Sequence, residues 1–177
     1  DRLYNRKPYE TFDEERMFNN LLSSQPMAFN LFCPLRKLLE KNRIAATKAI
    51  QAALPYYSIA MVTAVELEFI PRNYQSLTGD KSAMDAIIKY RNFEGKECFI
   101  AIETKYSENL GSNAASFMKL SGEKYEEKRQ KYFETIKKLN LFLPDIEDKI
   151  RNRPNKLTQL YRNFILSEAY GNHEGMD

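Results

Sequence analysis

The sequence predicts an α+β domain with a small α/β core. Two observations carry the assignment. Apolar residues recur at helical spacing before residue 58 and again after residue 111, while the stretch between them alternates with period two. The order is therefore helices, three strands, then helices, not the regular alternation of a doubly wound sheet. The 177 residues suit one domain, expected over 1–177, with a helical part at 1–57, a strand core at 58–106 and a second helical part at 112–170.

The first helix follows Thr11-Phe12-Asp13-Glu14, with Phe12, Met17, Phe18, Leu21 and Leu22 at helical spacing. Ser23-Ser24-Gln25-Pro26 should break it. A second helix is expected from Met27 to about Leu39, with Pro34 marking a new first turn. Asn42 can cap a third, Arg43 to Leu54, which Pro55 ends. Then the period changes. Ser58–Ile70 puts Ala64, Glu66, Glu68 and Ile70 on one face and Val65, Leu67 and Phe69 on the other. Ser82–Tyr90 and Glu97–Tyr106 are the second and third strands, joined by a Gly-containing turn at Asn92–Lys96. So short a loop implies an antiparallel hairpin. Gly111 opens a polar loop. A charged helix follows over Gly122–Leu139 and a last one over Asn155–Tyr170, with Pro144 and Pro154 between them.

Composition excludes several chemistries. Hydrophobic residues make up 43% and charged residues 29%, an ordinary globular balance. No apolar run approaches the roughly 20 residues that span a bilayer, so no membrane partner is expected. The charged start, Asp1-Arg2-Leu3-Tyr4, does not read as a secretory signal. A start on Asp1 instead of Met suits a trimmed or excised chain. Cys33 and Cys98 sit among apolar neighbours and read as buried free thiols, which fits a reducing cytoplasm. The net charge of +3 permits nucleic-acid binding without arguing for it, and no single basic patch stands out. A lone histidine, His173, speaks against a Ser-His-Asp triad, an HExxH zinc site, an HNH site and a two-His iron site. Hydrolytic chemistry here must use carboxylates and a lysine, and a metal is expected with them.

The third strand ends in Glu103-Thr104-Lys105. Alternation places Phe99, Ala101, Glu103 and Lys105 on one side, with the two charges where the strand leaves the core. Asp85 opens the second strand, so antiparallel pairing brings it beside Glu103 and Lys105. Carboxylates that converge at a half-buried strand end repel each other unless a cation or protonation relieves them, and Mg²⁺ suits oxygen ligands. The competing reading makes Glu103 and Lys105 a surface ion pair on an unrelated α+β domain. On the first strand, Glu66 and Glu68 share a face. Either they look out to water from an edge strand, or one of them, Glu68 by its nearness to the strand end, is a further acid of the site.

Ser82-Ala83-Met84-Asp85 followed by Ile100-Ala101-Ile102-Glu103-Thr104-Lys105-Tyr106-Ser107-Glu108 resembles the PD-(D/E)xK nuclease superfamily, and within it a bacterial restriction-endonuclease-like group. Asn20–Phe32 resembles the N-terminal helical signature of that group, and Gln159–Leu166 its late helix. The resemblance implies a restriction-endonuclease-like mixed sheet flanked by helices. It also implies a Mg²⁺-dependent (or Mn²⁺-dependent) endodeoxyribonuclease-like hydrolase that cuts DNA, with a homodimer by analogy. Asp85 and Glu103 would bind the ion, with the Thr104 carbonyl as a third ligand. Lys105 would orient or activate the attacking water. Glu68 (or Glu66) and Gln159 would join the site, and Gln25 and Asn30 would line it or hold its architecture. Two departures are visible. Met84 stands where the superfamily is named for Pro, which is not a ligand. The chain also stops at Asp177, so the core is expected to lack its last strand and to be cut short. The alternative function is a degenerate fold that binds nucleic acid or protein without cutting.

Overall fold

The computed structural model describes residues 14–20, 23–105, 121–152 and 158–177, with the side chains of 14, 16, 158 and 159 left aside. The chain divides into two compact units. The first comprises Asp1–Ile70, Ala83–Glu108 and Gly171–Asp177; the second comprises Pro71–Ser82 and Asn109–Tyr170.

The first unit holds three helices and three strands: α1 (Glu14–Asn19), α2 (Ser24–Lys41), α3 (Arg43–Ala53), β1 (Ile59–Phe69), β2 (Met84–Asn92) and β3 (Glu97–Ile102). The first helix ends before Ser23, but the second starts at Ser24 and not at the expected Met27. Ser23 is extended and caps α2, accepting a hydrogen bond from Gln25 N–H at 3.4 Å. Pro26 costs nothing in a first turn, where its missing N–H has no partner to lose. Pro34 starts no new turn, contrary to expectation, and lies inside α2. Asn42 alone joins α2 to α3. Its N–H closes α2 on Leu38 O at 2.7 Å, and its side chain accepts from Ala45 N–H at 3.0 Å, the expected cap.

The sheet runs β1-β2-β3, antiparallel throughout. Asn92 Oδ1 organises the hairpin turn, accepting from Glu94 N–H at 3.0 Å and Lys96 N–H at 2.9 Å, and Gly95 supplies the positive φ of 81°. β1 slips register twice, between Ile59 and Met61 and between Val62 and Ala64. Side chains of α3 bond to the backbone there. Thr47 Oγ1 accepts from Val62 N–H at 3.1 Å and Gln51 donates to Ile59 O at 2.7 Å. Between these helices and the sheet lies a core of Ile50, Val62, Val65, Ile88, Tyr90, Cys98 and Ile100, with Phe32, Leu35 and Leu39 packed on it. Each full-sized aliphatic there stabilises by about 1.5–3 kcal/mol. Cys98 is the buried free thiol expected; Cys33 is half-buried. On the other edge of β3, Phe99 N–H donates to Asp177 O at 3.0 Å and Asp177 N–H to Glu97 O at 3.4 Å, the pattern of a parallel bridge.

The second unit holds α4 (Tyr74–Leu77), α5 (Glu123–Leu139), α6 (Ile146–Asn152) and, up to Tyr170, α7 (Thr158–Glu174), whose last residues from Gly171 belong to the first unit. Its core is Tyr132, Phe133, Ile136, Ile150 and Ile165. A buried polar set fixes the segment before β2. Arg162 grips Asp80 with two nitrogens, at 2.5 and 2.8 Å, and Ser82 donates to Asn163 Oδ1 at 2.9 Å. Burial, and then the Asp80 charge, push the ionisation of Tyr132 far up. Neither α4 nor α6 is expected from the sequence, and α7 continues four residues past the expected end at Tyr170. No described helix is long and apolar enough to cross a membrane. Helices together with a three-stranded antiparallel sheet make the chain α+β, as expected.

Candidate active site

Sheet register assembles the acids. Leu67 pairs with Ala86 and Phe69 with Met84, so Glu68 sits across from Asp85. Ala86 pairs with Ile102, the last residue of β3, so Asp85 and Glu103 are the next residues along each chain. Glu68 and Asp85 therefore share one rung of the sheet, and Glu103 follows directly on the end of β3 beside it. Side chains opposed in this way start about 4.5–5.5 Å apart at Cβ. The last hydrogen-bonded residue of β3 is Ile102, short of the expected Tyr106, and Glu103–Lys105 continue as irregular chain.

Each acid has a partner of its own. Thr104 N–H donates to Asp85 Oδ2 at 2.6 Å, and the Thr104 hydroxyl donates to the same oxygen at 2.7 Å. The hydroxyl also lies 3.3 Å from Ser24 O at the start of α2, but its one proton favours the nearer, charged acceptor. Both bonds end on Oδ2, so Asp85 Oδ1 makes no hydrogen bond among the described residues. Glu103 Oε1, shielded from solvent, faces Lys105 Nζ at 2.5 Å. Glu68 is 6% exposed and accepts from Gln25 Nε2 at 3.0 Å. Its φ is +49°, a left-handed conformation unusual for a residue with a Cβ. Strain of this kind persists only where the surroundings impose it, and such positions cluster at functional sites.

The two first-strand acids part company. Glu66 lies half-exposed and pairs with Lys89 at 3.0 Å, while Glu68 is buried on the rung. Gln25 is buried against Glu68; Asn30 is exposed on α2. Gln159 falls in the first turn of α7, and its side chain lies outside the described residues. The Thr104 hydroxyl was not legible beforehand. Strand alternation points Thr104 away from Glu103, and only the end of the strand at Ile102 frees it to turn to Asp85.

Among the described residues no three of His, Cys, Asp and Glu close around one point. The donors nonetheless fit a small hard cation. They are all oxygens, Asp85 Oδ1 is unengaged, and Mg²⁺ is commonly held by one or two carboxylates while keeping several waters.

The whole chain, residues 1–177, matches the family model of the PD-(D/E)XK nuclease superfamily. The chain belongs to that superfamily. Neither the curated proteins nor the solved structures gave a significant match.

Proposed function

We propose that the protein is a divalent-metal-dependent nuclease that hydrolyses phosphodiester bonds in DNA, working in the cytoplasm. The observation that carries this reading is the rung of Glu68 and Asp85 with Glu103 and Lys105 following on the end of β3 beside it. Asp85 and Glu103 would hold the ion, with the Thr104 carbonyl as a third ligand and Glu68 as a further acid. Mg²⁺ or Mn²⁺, when bound, polarises the scissile phosphate and lowers the pKa of water.

The residues divide the remaining work. Thr104 keeps Asp85 in one orientation through Oδ2 and leaves Oδ1 without a hydrogen bond among the described residues. Gln25 fixes the Glu68 carboxylate in a buried setting. Lys105, half-buried, offers an ammonium that positions the attacking water and stabilises negative charge developing on phosphate oxygens. Superfamily membership supports a nucleic-acid substrate; two-strand cleavage would need two such sites, which favours a homodimer.

One observation favours a second reading. Glu103 is neutralised by Lys105, and no three-acid cluster is closed among the described residues. A degenerate domain that binds nucleic acid or protein without cutting would look the same. Plasmid and single-stranded DNA incubated with Mg²⁺ separate the two. The nuclease reading expects cleavage by the parent, none by Asp85→Ala, and a loss of about 100–1,000-fold in Lys105→Ala. Equal cleavage by all three would place the activity elsewhere, and an inactive parent that binds no metal would favour the degenerate domain.

A further inference from the structure

We propose that the elbow where α2 meets α3 is a phosphate-anchoring surface for duplex DNA, set off along α2 from the acidic rung. The proposal rests on the nuclease reading and names where its substrate is held. The pairing of charges carries it. On the strand side of this unit every described cation has an acid: Lys89 with Glu66, Arg91 with Glu97, Lys96 with Glu94 and Asp177, Lys105 with Glu103. Arg36, Lys37, Lys41, Arg43 and Lys48 have no ion-pair or hydrogen-bond partner among the described residues. These five flank Asn42 within 13 residues. From Ser24 to Ala53 the chain carries them against a single acid, Glu40, so that segment is net +4 and the rest of the chain net −1.

Ordinary helix chemistry does not account for the cluster. Lys41 suits the C-terminal end of α2, where the helix dipole favours a cation. Arg43 does the opposite: it is the first residue of α3, at the positive end of the dipole, and no acid stands in that first turn. Packing does not account for it either, since Lys37, Lys41, Arg43 and Lys48 are exposed and Arg36 is half-buried. Unneutralised cations held on two rigid helices repel one another and raise the local potential, a cost that a polyanion removes.

Position selects the polyanion. Gln25, in the first turn of α2, bonds Glu68 of the rung. Lys37 and Lys41 lie 12 and 16 residues further along the helix, hence about 18–24 Å from Gln25 at 1.5 Å per residue. At 3.4 Å per base pair that is roughly five to seven pairs from the point of cutting. A duplex laid along α2 meets both ends. An anionic membrane fits less well, because Ile44 is the one large apolar side chain exposed between Arg36 and Lys48.

The test is the salt dependence of affinity for a duplex of about 30 base pairs, with no divalent ion present, for the full chain and for Lys37→Gln/Lys41→Gln/Lys48→Gln. Each phosphate contact contributes a slope of about −0.9 in log K against log salt, so the variant should be shallower by about 2–3. The matching triple Lys→Arg variant should keep the parental slope. A Gln variant with the parental slope overturns the elbow. So does one that loses binding to vesicles of anionic phospholipid while its duplex slope is unchanged. If the parent cuts DNA through Asp85 and the Gln slope is parental, only the elbow fails. If the parent neither binds nor cuts nucleic acid, the nuclease reading fails with it.

Discussion

Thr104 holds Asp85 Oδ2 through two groups at once, its backbone N–H at 2.6 Å and its hydroxyl at 2.7 Å. The backbone bond survives any substitution except proline, so side-chain variants isolate the hydroxyl. Thr104→Val keeps the shape and removes the donor. It is expected to weaken Mn²⁺ binding by about 10–100-fold, as loss of a group that orients a ligand does elsewhere. Thr104→Ser should recover most of it. Isothermal titration with Mn²⁺ reads both variants; parental affinity in Thr104→Val would show that the hydroxyl does not orient Asp85.

Gln25 and Glu68 join the first turn of α2 to the rung. Gln25→Ala removes a neutral donor from a buried carboxylate. Chemical denaturation should report a loss of about 1–3 kcal/mol. Glu68→Gln is expected to be milder in stability yet to weaken metal binding. If Gln25→Ala unfolds at the parental midpoint, the hydrogen bond contributes nothing to the fold.

These first two outcomes concern residues that the sequence showed unequally. Alternation and one short loop were enough to set the start of β2 opposite the end of β3, because an antiparallel hairpin fixes register once its turn is known. Asn42 was legible as a cap for the same local reason. The separate fates of Glu66 and Glu68 were not, because alternation treats both alike and the φ of +49° at Glu68 is imposed by the surrounding structure. Pro26 and Gly171 misled in opposite places. Each is a helix breaker in isolation, but Pro26 falls in a first turn and Gly171 inside α7 lies against the Phe99 ring, where a Cβ would come within 2.9 Å. The cationic elbow was not legible in the sequence, because the pairing that sets the strand-side charges apart from it is tertiary.

In the second unit, Arg162 and Asp80 form a pair in which Asp80 is only 6% exposed. Arg162→Ala leaves that carboxylate buried without its guanidinium, and a loss of roughly 3 kcal/mol is expected by thermal or chemical unfolding. Asp80→Leu combined with Arg162→Met should lose less than Arg162→Ala alone, since no charge is stranded. A double variant as unstable as the single one would mean that the pair contributes through packing.

Tyr90 sets an alkaline limit. Burial, reinforced by the neighbouring Cys98 thiol, raises its pKa to about 12. The unfolded chain ionises near pH 10. Stability from keeping the phenol neutral is therefore complete below about pH 10 and is lost as pH climbs toward the folded value. The melting temperature should fall across that window, and Tyr90→Phe should flatten the fall. Parallel curves for parent and variant would assign the alkaline loss to other groups.

In the proposed nuclease, Asp85 and Glu103 share one ion. Crystals grown or soaked with Mn²⁺ test it through anomalous scattering. The expected result is a peak about 2.0–2.6 Å from an oxygen of each carboxylate. A well-ordered Mn²⁺ bound elsewhere, with the Asp85–Glu103 site empty and the same crystals' protein active on DNA, would contradict it.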